Sequence, residues 1–314
     1  MKNFADRLTG KIKDMNNPTV LGLDPKLDYI PSSILNHHRS EITDVSKASA
    51  MAILDFNMAL IDATYDIIPA VKTQFAYYEM YGINGMITLK RTIDYARSKG
   101  MIVIADAKRN DIGSTAQAYA SAIIGETDLL DGHSESMIDA DAITLNAYLG
   151  IDGIDPFIRI AKDRGKGMFI LVRTSNPSAV DFQDLRLDDG RFLYEAVADK
   201  ISEWGAPLIG DSGLSSIGAV VGATWPEQAE SLRKRMPHAL ILVPGYGTQG
   251  GDSDSAARSF TDSGDGAIVN ASRSLMCAYK KRTDLKEDQF STATRDEALR
   301  MKDDLNGALR RKFG

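Results

Sequence analysis

Eight short apolar runs, each separated from the next by enough chain for a helix, constrain this sequence more than any other feature. They lie at 19–23 (TVLGL), 69–73 (PAVKT), 101–105 (MIVIA), 142–146 (AITLN), 168–172 (MFILV), 217–222 (IGAVVG), 239–243 (ALILV) and 266–270 (GAIVN). Runs this short and this continuously apolar suit strands buried on both faces, because a strand with one wet face would alternate. Between them the apolar period changes to that of a helix. Asp44 is placed to cap a helix reaching about Tyr65, with Met51, Leu54, Met58 and Ile61 on one side. Further helices are expected at about 85–99, from a Ser114 or Thr115 cap to about 124, at 156–164, at 192–204 and between Pro226 and Pro237. One strand–helix unit used eight times predicts an α/β fold, a (β/α)8 TIM barrel.

No Pro/Ser-rich linker divides the chain, so residues 1–314 are expected to form one domain. A helix at about 3–14, with Phe4, Leu8 and Ile12 on one side, would precede the barrel, and a charged helical tail at about 287–314 would close it. An open Rossmann sheet is the competitor. It would need a GxGxxG fingerprint followed by a ribose-binding acid, and that combination is not found.

No apolar run reaches the ~18 residues of a membrane span, and the first fifteen residues lack the apolar centre of a signal peptide. The single cysteine, Cys277, excludes an internal disulfide and a cysteine-rich metal site, and points to a reducing cytoplasm. A net charge of −6 argues against a nucleic-acid surface. The same charge means that an anionic substrate must find local positive charge. His37 and His38 lack a second cluster of ligands and read as surface residues. Residues 126–139 and 178–190 read as polar excursions.

In a barrel of this kind the chemistry collects at the C-terminal ends of the strands. Asp24, Lys72, Asp106, Lys108, Asn146, Ser175, Gln249 and Arg273 all fall at or just past those ends. The densest stretch is DAKRNDIGST at 106–115. Alternation along an extended strand puts Ile102, Ile104, Asp106 and Lys108 on one face, with Asp111 following. Charge alone is equally well read as a solvated loop with chance ion pairs. Convergence of polar residues at most of eight strand ends favours an enzyme. Lys72, Asp106, Lys108 and Asp111 would form an array in which the acids keep both amines protonated. Protonated lysines suit proton delivery to a carbanion and not Schiff-base formation, which needs the free amine.

The loops after the seventh and eighth strands are the usual phosphate site of this fold. Here Gly245, Gly247, Gly250 and Gly251 would let backbone N–H groups approach an anion, Gln249 would donate its amide, and Arg273 would grip two oxygens.

Asp106-x-Lys108-x-x-Asp111-Ile112 resembles the signature of the orotidine 5′-phosphate decarboxylases. The segments VKTQFAYYE, LNAYLG, VRTSNPS and PGYGTQGG resemble the longer, mostly bacterial subgroup of that family. The likeness runs from LGLDP at 21–25 to NASRS at 270–274, with Asn110 standing where glycine is expected. It implies cofactor-free and metal-free decarboxylation of orotidine 5′-monophosphate to uridine 5′-monophosphate. It also implies roles for individual residues. Lys108 would protonate C6 of the pyrimidine, and Asp106 would lie beside the departing carboxylate. Asp24 and Lys72 would hold the ribose hydroxyls. Ser175 would bond the pyrimidine, while Gln249, Gly250 and Arg273 would hold the phosphate and Asn146 would support the array. Asp111, Ile112 and Thr115 would reach into the neighbouring subunit's site, making a homodimer the catalytic unit.

Two other readings remain open at this level. One is a sugar-phosphate decarboxylase or hexulose-phosphate synthase of the same superfamily, which would use the first acids to bind magnesium. The other is a non-catalytic phosphate-binding barrel, in which both lysines would lack a task.

Overall fold

The computed structural model describes residues 2–247 and 250–314. Its centre is a closed parallel barrel. In chain order the strands are β1 (Thr19–Leu23), β2 (Ala70–Gln74), β3 (Ile102–Arg109), β4 (Thr127–Asp128), β5 (Ser134–Glu135), β6 (Ala142–Leu145), β7 (Gly167–Arg173), β8 (Ser215–Val221), β9 (Ala239–Val243) and β10 (Ala267–Ala271). Among the described residues eight of these close the barrel in the order β1-β2-β3-β6-β7-β8-β9-β10, and β4 pairs with β5 as a separate antiparallel ribbon. That ribbon is what the polar excursion at 126–139 contains.

The burial pattern explains the continuous apolar runs. Alternate residues of the strands point inward, and Val20, Ala70, Ile102, Ile104, Ala142, Phe169, Val220, Leu242 and Ile268 form one internal cluster. Their neighbours Leu21, Val71, Val103, Ile143, Ile170, Ile241 and Val269 point outward into the layer beneath the helices. Both faces of each strand are therefore dry, and the buried charged residues in strand interiors, Lys72 and Asp106, are paired with each other. The helix Phe4–Met15 closes the bottom of the barrel, where Phe4 meets Phe169 edge-to-face at 6.0 Å. Gly167 opens β7 at that contact. A Cβ there would stand 2.1 Å from the Phe4 ring, so only glycine fits.

Several local expectations need correction. The third strand does not stop at Ala105 but continues to Arg109, and β8 begins at Ser215, two residues early. Neither Ser114 nor Thr115 caps the helix after β3. It spans Gly113–Ile124, follows Ile112 and has no side-chain cap. Asp44 does cap its helix, accepting the Lys47 N–H at 3.1 Å. His38 is not a surface residue; it is 7 % exposed, with Nε2 at 2.6 Å from Asp55. The Gly245-x-Gly247-x-x-Gly250 spacing does match a dinucleotide fingerprint. It follows barrel strand β9 and leads to the five-residue helix Ser253–Ala257, so it belongs to the barrel mouth.

Candidate active site

A cavity of about 780 Å³ opens at the C-terminal ends of the barrel strands, lined among others by Asp24, Lys72, Asp106, Lys108, Ser175 and Arg273. Its floor is organised on the Asp106 carboxylate, which is 6 % exposed and accepts from four donors. One oxygen takes Lys108 Nζ at 2.6 Å and the Thr144 hydroxyl at 2.9 Å. The other takes Lys72 Nζ at 2.8 Å and the Gln74 amide at 2.9 Å. Lys72 also lies 3.5 Å from Asp24. Saturating both oxygens is what makes a buried carboxylate tolerable, since an unpaired one would cost several kcal/mol.

The electrostatics follow from that geometry. Burial alone would raise Asp106, but the Lys72 and Lys108 ammonium groups outweigh it and hold the carboxyl well below its usual range. Burial likewise opposes the charged form of Lys72, and Asp106 with Asp24 override it, so its pKa is raised. Both groups are charged at neutral pH. The two amines differ in access: the Lys72 side chain is 4 % exposed and that of Lys108 is 45 % exposed, so Lys108 presents its ammonium to the cavity.

β3 reaches this arrangement by leaving regular geometry. Ala105 pairs with Ile143 and Arg109 with Leu145, so four steps along β3 match two along β6. Asp106, Ala107 and Lys108 occupy this bulge, and Lys108 has a left-handed backbone with φ 47°. Simple alternation predicts the shared face of Asp106 and Lys108 but not the bulge that brings Nζ back onto the carboxylate.

The other end of the cavity is formed by the loops after β9 and β10. Gly245, Gly247 and Gly250 have φ of 96°, 77° and 94°, a region that side chains resist. The loop is tied by Gly247 N–H to Gly251 O at 2.7 Å and by Gly251 N–H to Gly245 O at 3.1 Å. Its flanks are fastened to the C-terminal helix Phe290–Phe313, where Asp304 accepts the Tyr246 hydroxyl at 2.6 Å and the Ser253 hydroxyl at 2.9 Å. Arg273 begins the short helix after β10, is exposed, and forms no ion pair among the described residues. Gln249 lies outside the described residues; Gly250 is exposed and does not line the cavity.

Ser175 belongs to the segment after β7 that lines one side of the cavity. The side wall of the cavity includes Thr174, Asn176, Ser178, Phe182 and Gln183. Fully buried Arg173 pairs with Asp184 at 3.0 Å and stacks 4.0 Å from the Trp225 ring centroid. Gln183 accepts the Thr174 N–H at 3.0 Å, so the segment's two ends are joined below Ser175.

Four residues singled out by sequence stand apart. Asn146 is exposed, accepts the Tyr148 N–H at 3.0 Å and does not line the cavity. Asp111 accepts the Ile112 N–H at 2.8 Å and takes no part in the array of its own chain. Ile112 is 52 % exposed and Thr115 is exposed, and neither lines the cavity. Among the described residues no group of three or more His, Cys, Asp or Glu side chains is arranged to hold a metal ion, and no helix is long and apolar enough to cross a membrane.

Residues 43–287 match the family described as Orotidine 5′-phosphate decarboxylase / HUMPS. The chain belongs to that family. An orotidine 5′-phosphate decarboxylase of Clostridium tetani is 40 % identical over 309 residues, covering 98 % of this chain and all of that one. The enzyme of that name from Caldicellulosiruptor saccharolyticus is 39 % identical over 314 residues, with the same coverage. A solved structure of Leishmania donovani OMP decarboxylase superposes with a TM-score of 0.73 at 28 % identity, covering 98 % of this chain and 99 % of that chain.

Within this member of the orotidine 5′-phosphate decarboxylase / HUMPS family, sequence reasoning missed Gln74, Thr144 and Asn270 at the cavity. Gln74 is two residues beyond Lys72 on one strand, and Thr144 two before Asn146, so strict alternation would have flagged both. Asn270 is the penultimate residue of β10 and is 8 % exposed beside Ser272. Gly22 faces these two residues, and a Cβ there would stand 1.9 Å from Ser272 Oγ.

Proposed function

We propose that this chain is a carboxy-lyase that converts orotidine 5′-monophosphate to uridine 5′-monophosphate and carbon dioxide in de novo pyrimidine synthesis. The observation that carries the reading is the Lys108 ammonium, open to the cavity and held 2.6 Å from a carboxylate saturated by four donors. Full-length likeness to chains named for that decarboxylation supports the substrate.

In this mechanism the bond from C6 to the carboxylate carbon breaks and its electron pair stays on C6. Lys108 Nζ gives a proton to C6 and is left neutral, to be reprotonated from solvent. A C6 carbanion is unstable in water, so fixed positive charge already aimed at C6 supplies the main stabilisation. Asp106 lies beside the departing carboxylate, holds Lys72 charged and is paired with Lys108 through its other oxygen. Asp24 and Lys72 bind the ribose hydroxyls, Ser175 the pyrimidine, and Gln249, Gly250 and Arg273 the phosphate. Phosphate contacts remote from C6 add binding energy that serves the transition state. Asn146, outside the cavity, acts only through its neighbours.

The reaction as proposed uses no cofactor and no metal. Asp111, Ile112 and Thr115 complete the neighbouring site in a cytoplasmic homodimer, which would give the exposed Ile112 and Thr115 a partner surface. Residues 1–314 act as one barrel unit. The test is conversion of orotidine 5′-monophosphate by purified protein with and without EDTA. Turnover in both arms supports the proposal; no turnover in the presence of EDTA would sink it.

A further inference from the structure

Thr144 touches both halves of the acid–amine pair. Its hydroxyl donates to Asp106 at 2.9 Å and accepts the backbone N–H of Lys108 at 3.0 Å. It is 1 % exposed, so water does not replace it. In a regular parallel ladder the N–H of a strand residue finds a main-chain carbonyl. At the bulge, where β3 runs four residues against two of β6, the Lys108 N–H takes this side-chain oxygen instead. Lys108 holds φ 47° there, a conformation that an L-residue with a long side chain resists and that persists only when its surroundings impose it. A hydroxyl has one proton to give and lone pairs to accept with, so one group can make both bonds together.

We propose that Thr144 is a positioning residue for proton delivery: it holds the Lys108 backbone in its left-handed conformation and fixes the Asp106 oxygen on which the Lys108 ammonium rests. The proposal rests on the reading of the chain as a decarboxylase with Lys108 as proton donor. Without the hydroxyl, the Lys108 N–H loses its partner, the bulge relaxes, and the ammonium no longer stands at one distance from C6. Binding of the nucleotide's ribose and phosphate involves other residues, so the loss falls on the chemical step.

The experiment compares the native protein with Thr144→Val, which keeps the shape and removes the hydroxyl, and Thr144→Ser, which keeps the hydroxyl. Turnover of orotidine 5′-monophosphate by the native protein comes first; its absence overturns the underlying reading rather than the role of Thr144. Given native turnover, Thr144→Val should lower kcat about 30-fold with KM changed less than about threefold. Thr144→Ser should restore kcat to within about threefold of native. Exchange of the C6 hydrogen of uridine 5′-monophosphate with D2O, followed by NMR, should fall in proportion to kcat. It reads proton transfer alone, which a general loss of folded protein at a measured active-site concentration would not change. Should Thr144→Val not fold, Thr144→Cys, whose thiol is a weak donor and acceptor, takes its place with the same expectation. Native kcat and exchange in the Val or Cys variant, or a Ser variant as impaired as either, overturns the proposal.

Discussion

Replacing Asp106 by Asn tests the charge array directly, because asparagine keeps the shape of the side chain and removes its charge. Asp106 is 6 % exposed and lies 2.8 Å from the ammonium of Lys72, which is itself 4 % exposed. Among the described residues the other acid paired with Lys72 is Asp24, at 3.5 Å. At 2.8 Å, two unit charges attract by about 6 kcal/mol for an effective dielectric constant of about 20. Part of that is offset by desolvation in the native protein, and removing one partner of a buried pair costs about 3–5 kcal/mol. With 314 residues and about 2.1 cal/mol/K of unfolding entropy per residue, this lowers Tm by about 5–8 °C at pH 7.

The pH dependence has a defined sign. Asp106 has a folded-state pKa below its unfolded value, so its contribution is complete above about pH 4 and is lost as pH falls through the folded pKa. Lys72 has a folded-state pKa above its unfolded value, so its contribution is complete below about pH 10 and is lost as pH rises through the folded pKa. The gap between native protein and variant is therefore widest across about pH 4–10 and narrows beyond either end. Calorimetry at matched protein concentration measures it. A variant as stable as the native protein at pH 7, or a gap that does not narrow on acidification, would refute the assignment of Asp106 as the charge that holds Lys72.

Replacing Arg273 by Ala should raise KM and lower kcat/KM by about 10- to 100-fold, the size of a lost charge-assisted contact to phosphate; steady-state kinetics indistinguishable from native would remove Arg273 from the phosphate site. Inactive Lys108→Ala and Asp111→Ala proteins, mixed under subunit exchange, should recover about a quarter of native activity, because half the dimers are mixed and each holds one intact site. Verified mixed dimers without activity would return Asp111 to its own subunit's site. Because Asp106 is held below the ordinary carboxylate range in the free protein, it should contribute no acid limb above about pH 5 to kcat/KM. A limb between about pH 6 and 7 in kcat/KM that remains after the substrate phosphate's own ionisation at about pH 6 is allowed for would contradict that depression.

The barrel was legible because its physics is local and repeated. Each strand is buried on both faces, so each had to be a short apolar run, and eight of them left one architecture. Asp24, Lys72, Asp106, Lys108, Ser175 and Arg273 were legible for the same reason, since a polar residue has no place in a dry strand interior and is driven toward the barrel mouth. The edge-to-face contact of Phe4 with Phe169 and the burial of His38 against Asp55 were not. Both join residues far apart in the chain or on different helices, and neither leaves a periodic trace.

The chain's order of residues alone determined which strand ends carry charge and how far apart they stand. Tertiary structure decided which of those charges meet. Asp111 follows the array in sequence yet is not part of it: it accepts the Ile112 N–H and does not line the cavity. Asn146 sits past a strand end yet misses the cavity, while Thr144, two residues earlier and unremarkable in sequence, holds both Asp106 and the Lys108 backbone. Alternation is a property of one strand. Which carboxylate an ammonium reaches depends on the register of two, and register is set only when the barrel closes.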